Sequence, residues 1–310
     1  MNHLHWFREN KPFDYNRKEE LQELRQNFGK PNSLFLVAKI EGVSKTIGAL
    51  RVRCGYWRGD RAAVFRGWEP AITLEERNTN AGEALVREAL RLLHERNLRK
   101  AVYILKYPYG SPETASWHVN LYKRCRFEQK GPEGVILIAD ISQPHNLLPP
   151  IPNLQTVGWD KYTREEIAEF FLRAYASTPE DKETHKWDPL VSNREKILKW
   201  LQSPKMSSPP ECHRVALIDG KPAGFIGASI PKWKHQPSVG VLGPLGVFPE
   251  HRRKGIAYFL IMEIHRTLEE YGCHHSLVGT PKTNQKGIKL YKKAGYQTVF
   301  EQKEFEKKLR

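Results

Sequence analysis

Read for apolar spacing, the second half of the chain alternates between two periods. "NLQTVGW" (153–159) has the two-residue period of a strand, and "TREEIAEFFLRAYAS" after it places apolar residues at helical spacing. Thr163 at its start and Glu166 three residues on form a capping box. "SNREKILKWLQS" predicts a second helix, followed by a Pro/Ser loop at 202–211. "HRVALIDG", "AGFIGASI" and "VGVLGPLGVF" are short apolar runs divided by turn residues, which predicts three antiparallel strands. A helix at 255–270, a strand "HSLVGT", a helix from about 284 to 294 and strands around "YQTVF" and "EFEKKL" complete the order β-α-α-β-β-β-α-β-α-β.

The first half repeats much of this order. "LFLVAKIEG", "KTIGALRVRCG" and "AAVFRGWEPAIT" predict strands, "AGEALVREALRLLHERNL" a helix, "KAVYILKYP" a strand, "ETASWHVNLYKRCRFE" a helix and "GVILIADI" a last strand. Gly82-x-Ala84 opens its helix as Gly255-x-Ala257 does 173 residues later, and "LYKRCRF" matches "LYKKAGY" 169 residues later. Two matches at nearly one spacing are the mark of an internal duplication. Between the halves, "ISQPHNLLPPIPN" concentrates prolines that remove donors and fix φ, so it reads as a linker. The expected organisation is a domain at 1–142, a linker at 143–152 and a domain at 153–310.

Composition adds constraints. The net charge of +15 is shared almost evenly between the halves with no basic arm or tail, which argues against a nucleic-acid partner and suits an anionic small molecule. No run approaches the roughly 18 apolar residues of a membrane helix, and "MNHLHWFREN" is no apolar signal segment, so a cytoplasmic protein without membrane association is expected. Cys54, Cys125, Cys212 and Cys273 show no metal or disulfide spacing. His274 and His275 beside Cys273 would point to opposite faces of a strand, so no metal is expected.

The candidate chemistry lies in "PEHRRKGIAYFLIMEIH" (249–265), where Arg252, Arg253 and Lys254 precede Gly255 at the start of a helix. A helix N-terminus exposes unpaired N–H groups and about half a positive charge, and the cations add to that field. The stretch is suited to phosphate.

The run from Val247 to Ala257 resembles the cofactor loop of the GNAT N-acetyltransferases, whose pattern is Arg or Gln, two residues, Gly, one residue, Gly or Ala. It follows a strand, opens an amphipathic helix, and is trailed by Asn284, Leu290, Tyr291, Gly295 and Tyr296, which resemble the family's second signature. The resemblance covers about 153–310 well and 30–142 weakly. It implies an α+β fold class, with two tandem domains of that family, each a mixed, mostly antiparallel twisted sheet flanked by helices. It also implies acetyl-CoA as co-substrate. The amides of Arg252, Arg253, Lys254, Gly255, Ile256 and Ala257 would bind the pyrophosphate, and Leu245, Gly246 and Val247 would pair with the pantetheine arm like a strand. Gly243 and Pro244 would mark a bulge that splays the sheet. Asn284 matches the position that holds pantetheine or an ordered water, and Tyr291 the acid that protonates the departing thiolate.

No carboxylate lies on the strand before the loop, so Glu180, Asp181, Glu183, His185 and Asp188 are the candidate bases, beside deprotonation through ordered water. Trp187, Trp233 and His235 are expected to flank the acceptor. In the N-terminal copy Thr79 stands for Arg252, Ala115 for Asn284 and Arg126 for Gly295, with Glu75 and Glu76 nearby; Tyr122 survives, but acidic residues near a pyrophosphate would repel it, so that half is expected to be silent. A tandem with one working half is similar in architecture to mycothiol synthase. The activity implied is acetyl transfer to a primary amine, on a small molecule or a peptide, by direct attack in a ternary complex. Two other readings stand beside it: a tRNA-dependent aminoacyltransferase of related fold, and a non-catalytic coenzyme A-binding protein.

Overall fold

Local signals become elements at the expected places in the computed structural model, which describes residues 32–42, 45–57, 60–66, 69–142, 151–186, 193–202, 208–230 and 238–309. The first half contains β1 (Ser33–Lys39), β2 (Thr46–Trp57), β3 (Asp60–Arg66), β4 (Ala71–Ile72), α1 (Ala81–Glu95), β5 (Lys100–Pro108), α2 (Ser116–Arg124), β6 (Glu128–Gln129) and β7 (Gly134–Asp140). The second contains β8 (Leu154–Gly158), α3 (Arg164–Tyr175), α4 (Pro179–His185), α5 (Arg194–Leu201), β9 (His213–Ile218), β10 (Lys221–Ser229), β11 (Ser238–Val247), α6 (Ile256–Glu270), β12 (Cys273–Pro281), α7 (Gln285–Lys293) and β13 (Gln297–Lys308). Thr163 and Glu166 do form the capping box at the start of α3.

The chain forms two compact units whose boundaries differ from the sequence halves. One takes the described residues up to Glu133 together with those from Phe300 onward; the other is Gly134–Val299. Most of the expected linker, 143–150, lies outside the described residues. Each half's last strand is counted with the other half's sheet. β7 pairs antiparallel with β12 from Asp140↔His275 to Gly134↔Pro281. β13 pairs antiparallel with β5 from Phe300↔Pro108 to Lys308↔Lys100. The two strands expected around "YQTVF" and "EFEKKL" are therefore one, because β5 offers an unbroken ladder opposite it. Side chains reinforce that ladder: Phe305 is fully buried, Trp57 donates to Glu304 at 3.0 Å, and Lys100 pairs with Glu306 at 2.8 Å.

In the first unit the sheet runs β1-β2-β3-β5-β13, with β4 on β2 and β6 on β13. Only β3 and β5 pair in parallel. α1 turns Leu85, Val86, Ala89, Leu90 and Leu93 inward, and its polar face carries Arg87 on Glu83 and Arg91 between Glu88 and Glu95. The core gathers Leu50, Phe65, Leu93, Tyr103, Tyr122 and Phe305.

In the second unit the order is β7-β12-β11-β10-β9-β8. α6 covers it with Leu260, Ile261, Ile264 and Leu268, while α3 and α5 contribute to a second cluster with Phe171, Tyr175, Ile197, Phe225 and Phe248. The contact of α3 with β11 requires glycine at 246: an added Cβ would lie 2.6 Å from the Ala174 Cβ and 2.8 Å from the Phe225 ring. Overpacking of that kind costs about 1–3 kcal/mol. Of the candidate bases, Glu180, Asp181, Glu183 and His185 fall in α4, which is capped by the Thr178 hydroxyl on the Asp181 amide. Trp187, Asp188, Trp233 and His235 lie outside the described residues. Among the described residues no helix is long and apolar enough to cross a membrane, and no His/Cys/Asp/Glu group is placed to hold a metal.

Candidate active site

Two strands that part company define the site. β11 and β12 run parallel and pair only over Ser238–Val241 and Cys273–Leu277. Beyond Val241, β11 continues to pair with β10 alone, through Leu245↔Ile226, Gly246↔Phe225 and Val247↔Gly224. Beyond Leu277, β12 continues with β7 alone. The β10–β11 register shifts between Ile226 and Ala228, opposite Gly243 and Pro244. Pro244 has no N–H to donate and Gly243 approaches the Gly227 carbonyl, an added Cβ standing 3.3 Å from it. The bulge bends β11 away from β12 and leaves a wedge whose two walls, Leu242–Val247 and Val278–Pro281, have backbone edges that no described strand pairs. Such an edge accepts an extended chain as one more strand.

The chain then turns from Val247 into α6. Arg253 and Gly255 both adopt left-handed backbone, at φ 65° and 85°, and Gly255 is the N-cap. A glycine cap offers no side chain, and none caps this helix. The first hydrogen bond of the ladder runs from the Phe259 amide to the Gly255 carbonyl at 3.0 Å, so the amides of Ile256, Ala257 and Tyr258 precede it. Arg253, Lys254 and Gly255 are exposed, whereas the Ile256 side chain is buried in the core. An open helix end with two exposed cations beside it favours an anion.

Arg252 departs from the expected role of its side chain. Its guanidinium turns inward, donating to the Val247 carbonyl at 3.1 Å, the Ala174 carbonyl at 3.0 Å and the Asp181 carboxylate at 3.0 Å. One side chain thus ties the end of β11, the end of α3 and the start of α4 together beneath the loop. Burial alone would raise the Asp181 pKa, but the Arg252 hydrogen bond, the Thr178 hydroxyl and the Arg252 charge outweigh it and hold the carboxyl below its usual value. A carboxylate so stabilised is a weak proton acceptor, which sets Asp181 apart as a strut for the loop. Sequence reasoning placed the two residues in separate segments, and only a contact across 71 positions unites them.

Asn284 is the N-cap of α7: its side-chain oxygen accepts from the Gly287 amide at 3.0 Å and its amide donates to Thr280 at 3.0 Å. It thereby pins α7 to the end of β12, at the mouth of the wedge. α7 carries Tyr291 inward, into the same cluster as Leu242 and Val278, with Leu245 and Val247 packed against it. The Tyr291 ring meets Tyr296 edge-on at 5.7 Å. Its hydroxyl makes no hydrogen bond among the described residues, and burial pushes its pKa up to about 12. The site therefore holds a protonated phenol with its donor uncommitted. Tyr296, by contrast, is fixed by Ser276 at 2.6 Å and His265 at 2.8 Å.

Residues 165–296 match the family model described as acetyltransferase (GNAT) family. Among solved structures, the chain is similar to a GCN5-related N-acetyltransferase from Sphaerobacter thermophilus, at 16% identity over 96% of this chain and 87% of that one, with a TM-score of 0.63. It is also similar to a tandem GNAT protein from the clavulanic acid biosynthesis pathway, at 15% identity over 97% and 90%, with a TM-score of 0.54. A GCN5-related N-acetyltransferase from Kribbella flavida is 13% identical over 93% of each chain, with a TM-score of 0.50. At these identities the structures show the shared fold. No curated protein matches the sequence. The match to the acetyltransferase (GNAT) family model lies within the second unit, and the solved structures extend the likeness of fold over both halves of the chain.

Proposed function

We propose that the second unit is an N-acetyltransferase that moves an acetyl group from acetyl-CoA to a primary amine of a small molecule or peptide, by direct attack in a ternary complex. The observation that carries this reading is the continuity of the wedge with the open end of α6, which together fit an extended chain ending in a pyrophosphate. The amides of Arg252, Arg253, Lys254, Gly255, Ile256 and Ala257 would hold the pyrophosphate, with the exposed Arg253 and Lys254 supplying charge. The free edge at Leu245, Gly246 and Val247 would receive the pantetheine arm, and Asn284 would fix the wedge's far lip. When bound, acetyl-CoA supplies an activated acyl carbon on a thiol leaving group.

In the transfer, a bond forms between the amine nitrogen and the acyl carbon, the carbon–sulfur bond breaks, and the amine loses a proton while the sulfur gains one. Tyr291 is the proposed donor to the sulfur. A phenol with a pKa of about 12 is a weaker acid than an ordinary thiol, at about 8.5, so it keeps its proton throughout the physiological range. Its role is a hydrogen bond to the developing charge, with the amine's proton making good whatever it gives up. Attack needs no cysteine intermediate, and Cys212 and Cys273 of this unit are buried.

The test is thiol release from acetyl-CoA by the full chain across a panel of polyamines, amino sugars and peptide N-termini. We expect one amine class to accelerate release with stoichiometric acetylation of its nitrogen. Tight coenzyme A binding with no amine-dependent release would favour a non-catalytic role.

A further inference from the structure

The first unit has a cavity of its own, of about 830 Å³, within the range of small-molecule sites. Leu90 and His94 on α1, Arg126 in the turn after α2, and Lys307, Lys308 and Leu309 at the end of β13 line it. Its charges are unbalanced. Among the described residues Arg126, Lys307, Lys308 and His94 have neither an ion pair nor a side-chain hydrogen bond. The acids on the rim are engaged elsewhere, Glu306 by Lys100 at 2.8 Å and Glu128 by Lys130 at 3.3 Å. Arg91, also on the rim, is held by Glu88 and Glu95. Partial burial and then the facing charge of Arg126 push the Lys307 ammonium below its usual pKa, against an opposing effect of Cys125 and with a smaller push from Arg87. Like charges held together over a half-buried lysine weaken the fold unless an anion joins them.

We propose that this cavity binds a small organic phosphate carrying several negative charges, with the phosphate groups on Arg126, Lys307 and Lys308 and the organic body against Leu90 and Leu309. A guanidinium beside two ammonium groups matches the dense charge and multiple acceptors of phosphate. The residues converge on one concavity instead of forming a stripe, which favours a small ligand over a nucleic-acid strand. The site is separate from the α6 loop and belongs to the copy that lacks a cofactor loop.

Calorimetric titration of the full chain with ATP, inorganic pyrophosphate and a single-stranded RNA oligonucleotide tests the proposal. The comparison is with Arg126→Asn/Lys307→Gln, chosen because Arg126 adopts φ 62° and asparagine tolerates that backbone. We expect ATP to bind more tightly than pyrophosphate and to lose about tenfold or more in affinity in the double variant, as charge-assisted contacts of this kind do. Lys307→Arg should retain binding. The melting temperature of the double variant should hold or rise, because a repulsion has been removed. ATP binding that is undetectable in the parent, or unchanged in the double variant, would overturn the proposal. So would RNA binding tighter than ATP and lost in the same variant, which would make the cavity a nucleic-acid site.

Discussion

Tyr122 and Tyr291 occupy matching places in the two copies and live in different circumstances. Tyr122 is fully buried, stacked on Tyr103 at 3.5 Å, and donates its hydroxyl to the Glu69 carbonyl at 3.0 Å. Tyr291 has no such partner among the described residues. The helix ends differ in the same sense. Gly82 is buried beneath Trp117, where an added Cβ would stand 3.0 Å from the indole, and that indole is held by the Arg77 carbonyl at 2.9 Å. The Thr79 hydroxyl takes the Ala81 amide at 3.2 Å, and Glu83 sits in the first turn of α1. Gly255, by contrast, is exposed at an uncapped helix. At the tyrosine and at this helix end, the first copy has committed its polar groups and space to its own core, and the second has kept them open.

The sharpest break in this comparison is the pair of phenylalanine variants. Tyr291→Phe removes a positioned donor, which typically lowers kcat by about 10²- to 10⁴-fold, or roughly 3–5 kcal/mol of barrier, with cofactor affinity little changed. Tyr122→Phe should leave turnover intact and lower stability by about 1 kcal/mol, because it removes the hydrogen bond to the part-buried Glu69 carbonyl. Equal kinetic losses in the two variants would erase the distinction.

Gly255→Asp addresses the helix end. It places a like charge beside the expected pyrophosphate, worth on the order of 1–3 kcal/mol at a partly exposed site, so coenzyme A affinity should fall about tenfold or more. It also puts a side chain at φ 85°, adding roughly 1–2 kcal/mol of backbone strain. An unchanged dissociation constant would reduce the loop to a helix cap.

A pH effect separates the units further. Burial pushes the Glu69 carboxyl up to about 7 despite Arg51 at 3.2 Å. Its folded pKa lies above the unfolded value, so its contribution to stability is complete below about 4.5 and is lost as pH rises through about 7. Denaturant titrations should therefore show the first unit weakening from pH 5 to 8 and Glu69→Gln flattening that slope. A smaller effect is expected at Asn284, where Ala should cost about 1 kcal/mol by uncapping α7 and Asp should not; urea midpoints of the two variants would show it.

Much of this was legible in the sequence because it rests on local rules. The capping box at Thr163, the bulge at Gly243 and Pro244 and the left-handed glycine before α6 each follow from one residue's backbone or hydrogen-bonding capacity. What escaped were the long-range partnerships. Arg252 reads as one cation among three, yet Asp181 and two carbonyls draw it inward, and "ETASWH" gives no sign that Trp117 will close over Gly82. The exchange of last strands was equally hidden, since the unbroken apolar run of β7 and the paired buried positions of β13 do not specify which strand lies beside them.

Counting ligands is the most direct test of the contrast between the copies. Isothermal titration of the full chain with coenzyme A should give one site per chain, abolished or strongly weakened by Gly255→Asp. Two sites of comparable affinity, or one site indifferent to that substitution, would contradict the account.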